Sequence, residues 1–429
     1  MKSHINSRKP ELLAPAGDKS MLAAAVKAGA DAIYFGIKGL NMRVAAGNFL
    51  LEEVKEVVDY CHVHGVKAYC TINIIIFERE LLLLEEILQL LKKVKIDAII
   101  CWDLAVVKIC KELGLEIHLS TQASVANSAA AIYWKKLGVK RIVLARECSL
   151  EDIKEIKEKS KLEIECFVHG ARCISLSGRC FISQELFKKS ANRGECLQPC
   201  RRNYKITDED GKEMILENNF VMSAKDLCAL PILPRLVKIG IDSFKIEGRN
   251  RGAEYVFKVT SAYRKAIDIL CFYEDRNSKN FNKEQKEERS SKKWNEKVID
   301  RLLKRVKEVY NKGFSTGFFV DYPYHELSDA YGSKATSEKI LLGKVNNYYK
   351  KNSIVEFKVE SVDLFTGDKI AFIGGTTGYV EMKVKDMHND SGKIQKAQKG
   401  EIITIKTTEL VRENDKIYLI KDRFATKSK

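Results

Sequence analysis

The sequence predicts an α/β fold. The expected architecture is a (β/α)8 TIM-type barrel with a cysteine-rich insertion, followed by a small C-terminal all-β barrel or sandwich domain. Three observations lead there. Short apolar runs alternate with amphipathic stretches over roughly the first 270 residues, the rhythm of parallel strands joined by helical crossovers. One irregular stretch of about 70 residues interrupts that rhythm and holds five of the 12 cysteines. From about Lys339 the helical spacing stops and only turn-separated alternation remains.

In chain order the strand-like runs are Leu12–Ala16, Ala32–Gly36, Lys67–Ile76, Asp97–Cys101, Glu116–Ser120, Arg141–Ala145, Glu163–His169 and Ser243–Glu247. Helix-like segments such as Glu52–His64, Leu81–Lys93, Leu104–Leu113, Ala126–Leu137 and Leu150–Lys159 separate most of them. Eight such units suggest a closed barrel; a doubly wound open sheet is the alternative that periodicity leaves open. A ninth run is allowed for, so one boundary is expected to be misplaced. The barrel domain is placed at residues 1–335, with the cysteine-rich insertion at 170–230 and a mobile charged insertion at 274–293. The second of these, with one aromatic and no aliphatic residue, reads as solvated. Five runs, Ile354–Val359, Lys369–Ile373, Gly378–Val384, Glu401–Lys406 and Lys416–Ile420, read as an antiparallel β domain at 338–423. That domain lacks cysteine, so binding or docking is expected of it rather than catalysis.

Composition bounds the function. With 74 Lys+Arg against 58 Asp+Glu the chain carries +16, and residues 338–429 supply 18 basic and 13 acidic side chains of that balance. An anionic partner is expected, nucleic acid by default. No apolar run approaches the ~20 residues that cross a bilayer, so no membrane association is expected. The first ten residues carry charges without an apolar stretch, so no secretory leader is expected either. Twelve cysteines in such a chain point to a reducing, cytoplasmic setting, with thiols used as metal ligands or core residues rather than disulfides.

A barrel places its chemistry at the C-terminal ends of its strands. The polar residues that follow apolar runs are Arg43, Asn48, Asn73, Asp103, His118 with Thr121 and Gln122, Arg146 with Glu147, His169, and Lys245 with Glu247 and Arg249. Any one of them is ordinarily a solvated loop residue. Their recurrence after nearly every run argues for a shared polar cavity.

The clustered cysteines are Cys173, Cys180, Cys196, Cys200 and Cys228. Soft thiolates favour zinc or an iron–sulfur cluster. The CxxC knuckles of zinc ribbons are missing, and glycines beside Cys173 and Cys180 would let the backbone wrap a bulky inorganic group. The other seven cysteines fall in helix- or strand-like runs and read as small core residues.

The segment Glu165–Ser183, ECFVHGARCISLSGRCFIS, resembles the signature of the collagenase-like peptidases, peptidase family U32. ELLAPAG at Glu11–Gly17, GECLQPCR at Gly194–Arg201, SAKDLC at Ser223–Cys228 and FKIEGR at Phe244–Arg249 agree with it. Length and the C-terminal β domain resemble the tRNA hydroxylation protein P branch of that family. The resemblance implies oxygen-independent 5-hydroxylation of wobble uridine in tRNA, with prephenate as co-substrate and a [4Fe–4S] cluster. It implies Cys173, Cys180, Cys196 and Cys228 as ligands, with Cys200 as an extra thiol that could substitute for Cys196 or serve the chemistry. It also implies tRNA as partner, with a second family member as a further partner chain.

Under that reading Arg43, Arg146 and Arg249 are the candidates for holding a dicarboxylate, because bidentate Arg–carboxylate pairs are the strong form. His118 and His169 are candidate proton donors or else core histidines. Glu247, with Lys225 and Asp226 just before Cys228, is expected to line the same cavity. Two other classes stay open: a peptidase, for which HExxH and GxSxG are missing, and an RNA-binding scaffold with a structural metal. Hydroxylation of ribosomal RNA is a variant of the first reading.

Overall fold

The computed structural model describes residues 9–43, 47–214, 220–272, 294–322, 326–330 and 332–424. The charged segment 274–293 lies outside them. All eight expected runs are strands: β1 (Glu11–Ala16), β2 (Ala32–Gly36), β3 (Lys67–Ile72), β4 (Ala98–Cys101), β5 (Ile117–Leu119), β6 (Arg141–Val143), β7 (Glu163–Gly170) and, after one extra short strand β8 (Asp226–Cys228), β9 (Ser243–Ile246). They run parallel in sequence order, and β9 pairs with both β1 and β7, which closes the barrel. The open-sheet alternative is thereby excluded. No ninth barrel strand exists among the described residues; β8 instead pairs antiparallel with the end of β7 and carries the two-residue β10 (Phe314–Ser315).

The barrel strands are buried on both faces, as parallel strands covered by helices must be. Outward-facing side chains such as Ile33, Phe35, Cys70 and Ile99 pack under the helix layer. The inward set combines Leu13, Tyr34, Tyr69, Ala98 and Ile100 with a buried ionic column. In that column Arg141 pairs with Glu11 and Glu165, and Lys245 pairs with Glu165 at 2.8 Å. Removing one partner of such a column leaves a charge stranded in the core.

The helices that matter for position are α1 (Lys19–Lys27), which Asp18 caps by accepting from the Met21 N–H at 2.8 Å, and the long α2 (Ala253–Phe272). Against them packs the C-terminal module, an eight-stranded antiparallel sheet with its own core around Leu342, Phe357, Phe372 and Leu419. Its longest strand, Ser337–Tyr349, is invisible to alternation because its register shifts between Leu341 and Gly343. Ala24 and Ala253 of the barrel helices meet Ala371, Tyr379 and Ile420 of the module in one apolar cluster. Beside it Lys258 reaches Glu308 at 2.6 Å and Glu381 at 2.9 Å, and Lys369 reaches Glu381 at 2.7 Å. Among the described residues no helix is long and apolar enough to cross a membrane.

That junction gives a pH expectation. Burial alone would raise the Glu381 carboxyl, but Lys258 and Lys369, with the Tyr379 hydroxyl, outweigh it and hold the group at about 2. A carboxylate depressed by folding contributes stability that is complete above its unfolded value and is lost as pH falls through the folded one. The melting temperature should therefore fall as pH drops from 4.5 towards 2. Glu381→Gln should flatten that part of the curve; an unchanged acid limb in scanning calorimetry would refute the assignment.

Candidate active site

The cysteine-rich stretch folds over the C-terminal mouth of the barrel. It is anchored by Arg193, which donates to both carboxylate oxygens of Glu80 at 3.0 and 2.6 Å, and by Arg172, which donates to Ser315 at 3.4 Å. Between insertion and barrel lies a cavity of about 1290 Å3, open mouth included.

Inward-facing strand residues Tyr34, Thr71, Ile100, Val143, Phe167 and Lys245 line its barrel side. Asn73, Ser120, Thr121 and Gln122 add a polar wall, in which Asn73 Nδ2 donates to Gln122 Oε1 at 3.4 Å. Lys245 Nζ stands 4.5 Å from the centre of the Tyr34 ring.

The charge balance of this cavity is lopsided. Among the described residues Arg43, Arg146, Arg172, Arg201, Lys245 and Arg249 line it, against the carboxylate of Glu247. Lys245, Arg172 and Arg201 have acidic partners outside the cavity: Glu165, Glu326 and Asp226. Arg43, Arg146 and Arg249 are left to share Glu247. Arg43 Nε lies 3.3 Å from Glu247 Oε1. Arg146 donates to the Ala171 carbonyl at 2.7 Å and stacks 4.2 Å over Phe167. Arg249 donates to Asn41 at 3.0 Å and Thr71 at 2.8 Å, and its buried Nε has no partner. Burial pushes the Glu247 carboxyl up, yet Arg43, Arg146, Arg249 and Lys245 together hold it below the usual range. Burial likewise pulls Arg146 and Arg249 below the ordinary guanidinium value. Two positive charges are thus in excess in a desolvated pocket, which is the electrostatic demand for a dianion.

Four thiols line the same cavity: Cys173, Cys180, Cys196 and Cys200. The Cys173 and Cys180 sulfurs accept from the backbone N–H of Ser175 and Ile182, each at 3.4 Å. Burial, then the charge of Cys173, with Arg201 opposing and Cys196 and Cys180 adding, pushes the Cys200 thiol up to about 11. Among the described residues no three Cys, His, Asp or Glu side chains stand at metal-ligating separation. The donor set nonetheless fits a four-thiolate group: soft ligands, with backbone amides donating to two of the sulfurs.

Of the residues anticipated from sequence, Arg43, Arg146, Arg249, Glu247, Cys173, Cys180 and Cys196 meet at this cavity. Five do not. Cys228 is buried on the helix side, where the Tyr263 hydroxyl donates to its sulfur at 3.9 Å, and Cys200 stands where it was expected. His169 faces Tyr255, Tyr263 and Phe314, and burial lowers it to about 3. A β-bulge explains this: His169 pairs with outward-facing Ile246, whereas Phe167 pairs with inward-facing Lys245. His118 points into the barrel but packs 4.7 Å from Tyr69, fully buried and outside the cavity lining. Asp226 lies behind the insertion, accepting from the Lys312 N–H at 3.2 Å, and the stem of Lys225 runs beside Gly313. Tyr34 was not anticipated; inside an apolar run it reads as core.

Residues 17–329 match the family model described as Peptidase family U32. An uncharacterized protease of Methanocaldococcus jannaschii is 40% identical, over 96% of this chain and 98% of its own. A collagenase of Porphyromonas gingivalis is 36% identical, over 96% and 98%. The tRNA hydroxylation protein P1 of Bacillus subtilis is 36% identical, over 86% and 85%.

Proposed function

The chain belongs to peptidase family U32, and from that premise we propose that it hydroxylates RNA. It is an enzyme, as its relatives are by name. The reading is 5-hydroxylation of the wobble uridine of tRNA without molecular oxygen, in the cytoplasm, with prephenate as co-substrate and a [4Fe–4S] cluster. The observation that supports it is one cavity holding both a thiol quartet and the Arg43–Arg146–Arg249 excess over Glu247. The guanidiniums suit the two carboxylates of such a co-substrate. A uracil offers alternating acceptor, donor and acceptor along one edge, and Asn73 and Gln122 present amides that can meet both kinds. Only a base lifted from its stack would enter so recessed a pocket. When bound, an iron–sulfur cluster would supply electron-transfer chemistry that side chains lack. Tyr34, Phe167 and Ile100 give the barrel side of the cavity an apolar lining that excludes water, and Lys245 with Glu165 fixes the charge there.

The peptidase name of other relatives is less well supported. Among the described residues no histidine lines the cavity, and His169 faces away from Cys173, so a Cys–His nucleophile pair is not formed. The test is nucleoside analysis of tRNA from a deletion strain. Loss of 5-hydroxyuridine derivatives, restored by the wild-type gene, is expected; an unchanged profile in a strain without paralogues rejects the substrate.

The ligand set has its own test. After anaerobic reconstitution, Cys200→Ala should lose iron and sulfide as fully as Cys173→Ala, while Cys228→Ala keeps them. The reverse order would return Cys228 to the site.

A further inference from the structure

A second cationic feature lies outside the cavity. The helix Glu296–Lys307, the start of the strand Ser337–Tyr349 and the end of the strand Lys416–Asp422 border an open groove of about 700 Å3, adjoining solvent included. Lys304, Lys307, Lys369 and Lys421 line it, against Glu308 and Asp422. Glu308 is already engaged by Lys258 at 2.6 Å, and Lys369 by Glu381 at 2.7 Å. Lys304, Lys307 and Lys421 are exposed and make no ion pair among the described residues. The C-terminal end of a helix favours Lys304 and Lys307 on its own account. It does not account for Lys421, which the C-terminal module brings to the opposite wall.

Short stretches of chain also connect the groove to the mouth of the active site. Thr336 N–H donates to the Lys307 carbonyl at 2.8 Å, which ties the module to the helix end. Three residues on, Tyr310 lies under the Arg251 guanidinium at 3.6 Å. Arg251 follows Arg249 and Asn250, both of which line the cavity. Arg251 is thus a further cation on the chain that joins the cavity lining to the end of the helix.

We propose that this groove holds the phosphate backbone of the RNA whose base occupies the cavity. The inference rests on the RNA reading above and extends it: the barrel selects the base, and the junction between barrel and module positions the strand. Phosphate contacts of this kind set register and affinity without reading sequence, and each one lost removes counterion release. An acidic protein segment is the competing occupant; the groove offers no exposed apolar anchor among its lining residues, and protein partners depend on such anchors.

The experiment measures tRNA affinity against salt for wild type, the triple variant Lys304→Gln/Lys307→Gln/Lys421→Gln, and Lys350→Gln/Lys351→Gln as a surface control remote from the groove lining. The triple variant should bind at least about tenfold more weakly and lower the salt slope by about 2–3, at roughly 0.7–0.9 per phosphate. Its melting temperature should be unchanged, since all three side chains are exposed. Wild-type RNA binding with an unaltered slope in the triple variant overturns the groove and leaves the RNA reading intact. Absence of RNA binding by wild type overturns both. Poly-glutamate competing as effectively as tRNA would transfer the groove to an acidic protein.

Discussion

Arg249→Met should lower formation of the hydroxylated nucleoside by about 10²–10³-fold while binding iron and sulfide as wild type does. Arg249 is 4% exposed, sits on the cavity, and keeps one buried donor, Nε, without a partner. Neither Asn41 nor Thr71 is an acid, so its hydrogen bonds orient the guanidinium without neutralising it. Burying an unneutralised charge is costly, and burial accordingly pulls this arginine below its ordinary value. Removing it should therefore leave the ligand-free protein no less stable, because a desolvated charge is exchanged for an apolar stem of similar length. Loss of activity with a steady or raised melting temperature is the signature of a residue kept for its ligand. Arg249→Lys should restore only part of the rate, since an ammonium cannot reproduce the planar fork. Activity within twofold of wild type in Arg249→Met would sink the assignment.

The barrel was legible because its strands are buried on both faces, so each appears as a compact apolar run bounded by turns. The cavity arginines were legible for a related reason: Arg43, Arg146 and Arg249 each follow a strand, where the fold places its mouth. What failed depended on side-chain direction within a strand. Tyr34 belongs to a run whose two faces are equally buried, so alternation gives no sign of which residues look inward. His169 was assigned to the site by its position after β7, and the bulge beside Ile246 turned it to the helix layer. Cys228 failed differently. Its distance along the chain from Cys196 says nothing about the antiparallel pairing of β8 with β7 that carries it away from the mouth. Cys200, expected as an extra thiol or a substitute for Cys196, is held among the cavity cysteines by the short turn Pro199–Arg201.

Gly170→Ala should be strongly damaging for the addition of a single methyl group. Gly170 ends β7, opens the cysteine-rich stretch and has φ +105°, a conformation in which a side chain is strained. That strain is worth roughly 1–2 kcal/mol. The steric term is larger in consequence. A Cβ at this position would lie 2.3 Å from the Glu247 carbonyl oxygen and 3.0 Å from the Tyr255 hydroxyl. The obstruction is backbone, and that backbone is fixed: the Glu247 N–H donates to the His169 carbonyl at 2.8 Å, and the Tyr255 hydroxyl donates to the Glu247 carbonyl at 3.0 Å. Relief requires β7 and β9 to part at the point where Glu247 reaches Arg43, adding about 1–3 kcal/mol of overpacking and displacing the Glu247 carboxylate on the cavity. Gly178→Ala separates the two contributions, because Gly178 has φ +78° with open space around its missing Cβ. It should cost the conformational strain alone. Gly170→Ala should lower the melting temperature well beyond Gly178→Ala and lose iron retention with it. Equal melting temperatures for the two variants would show that the close approach of Gly170 to Glu247 does not hold the mouth of the barrel together.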